Sequence, residues 1–391
     1  MANQIKIIAI GVFIIVISLV GQAQDQKNSA LMTTKMQEMQ GALSSLLLLS
    51  SSDQQFTDPS NKKQIEKELK FFSKSTHNLD QNVMFIDVDP VVKFLPNQLS
   101  IDTTEAYLAF REGNTGYARN ILRTTSNYCI SCHSRSSAEL QLSKTFFQPP
   151  SSLKSFELAQ FYAVSRQFDA AIENYIKAIQ ENTIDRADLE EAINQSLSIA
   201  VRVKNKPALA MEIAQTVIKT KSVPIYLKMN ALDWKKTISD WASKKISPPE
   251  TESAYFSQAK KLLDQAQKIK KFPMDRSADI LYLRASGLLH ELIRIAPQSK
   301  YLSEALYLEG ICYDVLSPRK IESMSNIYYE ACIRSAPHTD ISEGCYRRYE
   351  ENIYYVYSGN SGTQIPEEIK NKLIELWTIS ILTKRLDEAK K

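Results

Sequence analysis

Cys129, Cys132 and His133 are the residues of this chain whose types and spacing could do chemistry. They read C-x-x-C-H, with Ile130 and Ser131 between the two cysteines. This is the spacing of a c-type haem attachment site, because each thiol can add to one vinyl group of a porphyrin and the next residue can bind the iron. A thiol pair could also form a disulfide or half of a zinc site, but no second C-x-x-C completes a zinc ribbon. The motif therefore predicts one covalent haem c with His133 as an iron ligand.

The first 23 residues have the layout of a secretory signal. Lys6 provides a positive charge, residues 7–20 are almost wholly apolar, and Gly21-Gln22-Ala23 offers small residues at a cleavage site. The apolar run is short for a membrane span, which needs about 20 such residues. We therefore expect export to a bacterial periplasm, removal of residues 1–23 and no membrane span afterwards. An uncleaved N-terminal anchor is the alternative.

Composition predicts an all-helical protein and argues against some functions. The chain has only 10 glycines in 391 residues, and residues that favour helices dominate. The formal net charge is +4 without a long basic block, so a nucleic-acid partner is not expected. No set of nucleophile, base and orienting group is visible, and we do not expect an enzyme.

Residues 24–147 are expected to form a four-helix bundle that houses the haem. Apolar residues recur at helical spacing from residue 29 to 51 and again from 61 to 77. Residues 80–98 carry two prolines and indicate a long connection. A third helix is expected over 101–112, and a fourth, over 117–140, carries the attachment motif.

The position of the motif on the last helix distinguishes between types of c-type cytochrome. No methionine follows His133 until Met211, whereas the first helix carries Met32, Met36 and Met39. With Gly113-Asn114, Ala118-Arg119 and Leu122 before the motif, residues 29–140 resemble the cytochrome c prime family, the class II c-type cytochromes. The resemblance implies a four-helix bundle, His133 as proximal ligand, and a first-helix residue facing the other side of the haem. Rough alignment puts Met36 at that place. The chain departs from the family in its 80–98 connection and in lacking an aromatic–basic pair soon after the histidine.

The residue opposite His133 has several candidates. Thioether sulfur is a normal axial ligand of haem iron, so Met36 is our first choice and Met39 the second. No protein ligand at all, or His77, are the remaining possibilities, and core packing is the ordinary role of methionines on an apolar helical face. Three arginines flank the motif and could meet a haem propionate, although solvated surface positions are the simpler interpretation: Arg119, Arg123 and Arg135.

Residues 151–391 are expected to form an α-solenoid of helix pairs, beginning after Gln148-Pro149-Pro150. The segment 158–178 fits the tetratricopeptide pattern of small and large residues, and Ala171 and Ala210 occupy equivalent places 39 residues apart. Further pairs are predicted at 255–269 with 278–295 and at 302–316 with 321–335. The region resembles divergent tetratricopeptide repeats, which implies a protein partner on a concave surface. A stack that only supports the haem domain is the alternative.

The remaining cysteines and histidines have less specific roles. Cys332 and Cys345 flank Pro337 at neighbouring helix ends, so a disulfide is expected, with two buried free thiols as the alternative. Cys312 is expected in the core. Core or capping roles are expected for His290 and His338.

Together these patterns favour a periplasmic monohaem c-type cytochrome. It would carry single electrons to or from a redox partner protein and dock a protein partner through its repeats. Two alternatives remain at the level of sequence: a haem-based gas-binding sensor with an open distal site, and a repeat scaffold with a structural haem.

Overall fold

The computed structural model describes residues 34, 36–83, 89–135, 153–244, 248–272, 275–316, 324–360 and 362–382. Apart from turns and one short hairpin, these residues are helical. No helix among them is both long and apolar enough to cross a bilayer. The predicted signal at residues 1–23, Met32 and the boundary at residues 148–150 lie outside the described residues.

Within the described residues, the N-terminal region contains five helices. Its elements are α1 (residues 36–50), α2 (Asp53–Thr57), α3 (Lys62–Val83), α4 (Pro90–Arg111) and α5 (Thr115–His133). Side chains of Ser52, Asp89 and Asn114 accept hydrogen bonds from backbone N–H groups at the starts of α2, α4 and α5. Helix α3 packs on α4 and α4 on α5, with apolar side chains such as Leu69 and Leu122 buried between the helices.

Three helix boundaries differ from the sequence-based predictions. The second helix was predicted over 61–77, but α3 continues to Val83. Residues 80–98 were expected to be a connection, but α4 already begins at Pro90 and continues through Pro96. Pro90 stands in the first turn, where its missing N–H has no helical partner to lose, so it starts the helix instead of breaking it. The predicted fourth helix over 117–140 was too long at its C-terminal end, because α5 ends at His133 and Ser134 caps it.

The C-terminal region is a solenoid-like arrangement of packed helix pairs. Its helices are α6 (Ser155–Val164), α7 (Phe168–Gln180), α8 (Arg186–Ser198), α9 (Pro207–Lys219), α10 (Ile225–Ser243), α11 (Glu252–Ile269), α12 (Asp279–Ile295), α13 (Leu302–Leu316), α14 (Met324–Ser335), α15 (Asp340–Tyr357) and α16 (Glu367–Trp377). π-Helical turns, Ile199–Val203 and Thr378–Leu382, follow α8 and α16, and a hairpin of β1 (Ser358–Gly359) with β2 (Gly362–Thr363) follows α15.

The predicted pairing of these helices is confirmed. Helix α6 packs on α7, α11 on α12 and α13 on α14. Ala171 and Ala210, predicted to be equivalent, are both completely buried, and their small side chains let neighbouring helices approach closely. Cys332 of α14 and Cys345 of α15 are joined by the expected disulfide, with their Cα atoms 6.3 Å apart. Cys312 is buried in the core, as expected.

The two regions contact each other directly. Helix α5 packs on α6, and α4 packs on α14, so helices distant in sequence meet across the boundary. The C-terminal end of α5, which carries the C-x-x-C-H motif, therefore lies against helices of the repeat region.

Candidate functional site

The C-x-x-C-H motif occupies the last turn of α5. Cys129, Cys132 and His133 are three and four residues apart, so they lie along one side of the helix. Ile130, between them in sequence, is completely buried in the core and fixes the rotation of this turn. The motif is thus held by packing on its opposite face.

A small cavity beside the motif brings together most of the residues that the sequence assigned to one site, although Cys132 does not line it. Its volume is about 20 Å³. Cys129 and His133 line it from α5, Met36 and Met39 from α1, and the remaining lining residues are Gln40, Leu43, Phe72 and Val164. Met36 and Met39 reach the same cavity because they are three residues apart on α1. His77, the weakest candidate ligand, is exposed on α3 and does not line this cavity.

His133 has the properties of a histidine that binds a metal. Burial, followed by the charge of Arg166, lowers the pKa of its imidazole to about 4, so the ring is neutral near pH 7. One ring nitrogen, Nδ1, is buried without a hydrogen-bond partner. The ring also hydrogen-bonds to the backbone of Val164 at the end of α6. A metal-binding histidine typically offers one nitrogen to the metal and donates the other N–H to a carbonyl or carboxylate.

The two motif cysteines are not joined in a disulfide. Both are partly buried thiols. Burial, reinforced by the neighbouring Cys132, raises the pKa of the Cys129 thiol to about 12, so this thiol stays protonated near neutral pH. A protonated, partly buried thiol is a poor nucleophile and a poor ligand for a bare metal ion. Among the described residues, no three His, Cys, Asp or Glu side chains are grouped so that they could hold one.

The residues around the cavity fit a covalently attached haem. The donor set consists of the thiols of Cys129 and Cys132, a neutral imidazole with an unpartnered nitrogen, and two methionine sulfurs on the helix that lines the other part of the cavity. Leu43 and Phe72 add apolar surface suited to a porphyrin. Cys129 and Cys132 would hold the ring and His133 the iron.

Two of the arginines near the motif are partly exposed and have protein partners, and the third is buried. Arg119 donates hydrogen bonds to the carbonyls of Ser50 and Ser51, and Arg123 pairs with Asp188 at 2.6 Å. Arg135 is buried, so its expected position at the surface is wrong. None of the three lines the cavity.

Arg135 instead belongs to a buried polar cluster that we call the Arg135 cluster, formed by Asp89, Arg135, His290, Tyr313 and Tyr328. Its guanidinium donates to Asp89 at 2.7 Å, to His290 at 3.1 Å and to Tyr313 at 3.0 Å, and it also hydrogen-bonds to the Tyr328 hydroxyl. Burial opposes the charge of Arg135, but Asp89 and the two tyrosines outweigh it and raise the pKa of Arg135 well above its usual value. The cluster joins α5 and the start of α4 to α12, α13 and α14.

The side of the cluster next to α13 holds groups that are neutral near pH 7. Burial, followed by the charges of Arg135 and Arg202, lowers the pKa of His290 well below its usual value. Burial raises the pKa of Glu309 to about 8, although Arg202 and Arg135 oppose the rise. Glu309 lies 3.4 Å from His290 and accepts a hydrogen bond from Ser286 at 2.9 Å. The core position predicted for His290 is confirmed, whereas His338 is exposed in the connection between α14 and α15.

Comparisons with known proteins found no match to this chain. No protein-family model matches the chain, and neither a curated protein nor a solved structure is significantly similar to it. The function must therefore be argued from the site itself.

Proposed function

We propose that this chain is an exported monohaem c-type cytochrome that carries single electrons. The observation that supports it most is the cavity at the end of α5, where the attachment motif faces two methionines of α1. Chance would not be expected to combine a C-x-x-C-H motif with a partly buried, neutral histidine and a second set of haem-iron donors. Export through the signal at residues 1–23 is part of the same proposal.

Each residue of the site has a role in this proposal. A bound haem supplies the one-electron chemistry. Cys129 and Cys132 hold it through thioether bonds, and His133 offers a neutral nitrogen because burial keeps its pKa low. The Val164 backbone fixes the orientation of the imidazole. Leu43 and Phe72 exclude water from the cavity.

Met36 remains our first candidate for the second residue that would hold the haem iron. Both Met36 and Met39 line the cavity, but Met39 is only 4% exposed and is packed in the core, whereas Met36 is partly exposed. A side chain that is not held by core packing can move toward an inserted haem at lower cost. An open distal site remains the basis of the alternative gas-binding function.

The helices α1, α3, α4 and α5 would form the cytochrome c prime-like bundle that the sequence suggests. The contacts of α3 with α4 and of α4 with α5, and the cavity between α1, α3 and α5, support this assignment. Facing helices of such bundles commonly build cofactor sites in the bundle core.

The repeat region would dock a protein partner. On α10, Ile225, Met229 and Leu232 are exposed by 73%, 55% and 48%. They are four and three residues apart and so form one apolar stripe on the helix surface. An exposed apolar stripe of this kind is typical of a protein-binding surface, which supports a redox or regulatory partner with an apolar patch.

Haem attachment can be tested directly in cells that carry a cytochrome c maturation system. We expect a red protein whose mass exceeds that of its amino acids by one haem and which keeps its haem on a denaturing gel. The double variant Cys129→Ala/Cys132→Ala should lose the covalent haem, because no thioether can form. Cys312→Ala is the matched control and should stay red, since Cys312 is a core residue away from the cavity. A colourless wild-type protein would refute the proposal.

Carbon monoxide separates the electron carrier from the gas-binding alternative. An iron with two protein ligands has no open position, so the reduced visible spectrum of a carrier should not change when carbon monoxide is added. An immediate spectral shift would favour the gas-binding function.

A further inference from the structure

A cleft formed mainly by the repeat region shares no lining residue with the cavity beside the motif, although Arg135, two residues after His133, lines it. It is bounded by α10, α11, α12 and the π-helical turn after α8, and its volume is about 270 Å³. Its apolar walls include Trp241, Pro249 and Leu288. This volume is near the lower end of the range of small-molecule sites, which typically combine apolar walls with a few polar groups.

Arg284 places a positive charge in this cleft without a counter-ion. The side chain is half-buried on α12, and its guanidinium carbon lies 4.7 Å from the ring centre of Trp241. Within the part of the chain that the structure describes, no carboxylate or hydrogen-bond acceptor pairs with it. Burial lowers the pKa of Arg284 to about 10, which still leaves it charged near pH 7. A partly buried charge without a partner is costly, and such costs are concentrated at binding sites.

The other polar groups of the cleft do not neutralise Arg284. Glu291, the carboxylate in the lining, is held by Arg294 through a hydrogen bond of 2.9 Å and a second contact. Arg202 adds further positive charge, and its Nε and Nη2 atoms are buried without a hydrogen-bond partner. Gln258 contributes an amide to the lining. The cleft therefore has an excess of positive charge and donors, which favours an anion.

We infer that this cleft binds a small organic carboxylate, with its carboxylate on Arg284 and its apolar body against Leu288 and Pro249. The planar guanidinium fork matches a carboxylate through two parallel hydrogen bonds. The apolar walls favour an organic acid over an inorganic anion, because a fully hydrated ion gains nothing from them. The inference does not depend on the haem.

Isothermal titration of the full-length protein with acetate, benzoate and inorganic phosphate tests the inference. We expect benzoate to bind more tightly than acetate, and both to bind more tightly than phosphate. Arg284→Gln should weaken benzoate binding by about tenfold to a hundredfold, the value of a lost charge-assisted hydrogen bond. Arg347→Gln on α15, where Arg347 is exposed and pairs with Glu343, is the matched control and should bind like the wild type.

A second variant, Gly287→Leu, should block the cleft and leave Arg284 in place. Gly287 lines the cleft, and a Cβ built on it would meet Arg202 at an ordinary 3.7 Å, so Gly287→Leu should fold and fill space with a helix-favouring side chain. It should abolish benzoate binding while circular dichroism stays unchanged. Wild-type protein that binds none of the three anions would overturn the inference, as would equal benzoate affinity in wild type and Arg284→Gln. Phosphate binding as tight as benzoate binding would overturn the assignment to an organic acid.

Discussion

At the scale of single residues, burial decides what the candidate groups can do. It keeps His133 neutral and the Cys129 thiol protonated, although both types of residue often react or titrate near neutral pH in water. The same effect keeps Glu309 protonated in the core of the repeat region. The chemistry of these groups follows from where the helices place them.

Replacing the two methionines one at a time should identify the axial ligand. In the haem-loaded protein, Met36→Ala should lower the midpoint potential and make the reduced spectrum sensitive to carbon monoxide, because a thioether ligand raises the potential and closes the iron. Met39→Ala should leave the spectrum unchanged but destabilise the fold by about 2–3 kcal/mol, since it removes a buried side chain. The reverse pattern would assign the ligand to Met39.

Glu309 should make the stability of the fold depend on pH. Its pKa is about 8 in the folded protein and near its ordinary value of 4.5 in the unfolded chain, so unfolding releases a proton between these values. Stability should therefore fall as the pH rises through this window, by up to about 1.4 kcal/mol per pH unit. Glu309→Gln keeps the shape and should flatten this dependence. Urea unfolding at pH 6, 7 and 8 measures it; equal slopes for the two proteins would contradict the prediction.

At the scale of helices, two different sets of contacts hold the C-terminal end of α5 in place. Apolar packing around Ile130 sets its rotation, and Arg135 ties the residues after its cap to α12, α13 and α14. The packing of Ile130 could be predicted from helical spacing. The contacts of Arg135 could not, because Asp89, Arg135 and Tyr328 are far apart in sequence and only the tertiary fold brings them together.

Removing Arg135 should be far more costly than removing a surface arginine. Arg135→Ala leaves Asp89 buried without its charge partner and should destabilise the protein by about 3–5 kcal/mol. Arg334→Ala is the control: its pair with Glu375 is exposed, and the loss should be about 1 kcal/mol or less. Chemical denaturation measures both. A loss at Arg135 as small as that at Arg334 would show that the Arg135 cluster is not the connection we describe.

Sequence patterns predicted which segments are helical better than they predicted where the helices end and which residues they bring into contact. Small residues such as Ala171 and Ala210, together with the cysteines of α14 and α15, predicted the packing of helix pairs and the disulfide. The start of α4 was predicted too late because a proline usually interrupts a helix. Pro90 instead lies in the first turn of α4, directly after the capping residue Asp89. The motif and the methionines allowed a site between α1 and α5 to be predicted. The contact of Val164 with His133 depends on how α6 packs against α5, and the spacing of apolar residues does not predict this packing.

At the scale of the whole molecule, the two regions are structurally interdependent. The imidazole of His133 contacts α6, and the Arg135 cluster takes three of its five members from α12, α13 and α14. We therefore expect the helices before residue 150 to depend on the repeat region for their stability.

A truncated chain of residues 24–147 should consequently fold poorly. It keeps Arg135 and Asp89 but loses the tyrosines and His290 that complete the cluster, and the α6 surface that covers the end of α5. We expect increased binding of a hydrophobic dye and rapid proteolysis compared with the full chain. A soluble fragment that resists proteolysis as well as the full-length protein does would contradict this interdependence.

The contact between Val164 and His133 has a consequence for biogenesis. The partly buried Cys129 thiol lines the cavity with residues of α1 and the end of α6, so a modifying enzyme would reach it more easily while these helices are still apart. If a porphyrin is joined to Cys129, we expect the joining to precede the packing of α6, which follows α5 in the chain. Maturation would then compete with folding, and variants that accelerate closure of the repeats should accumulate unmodified polypeptide.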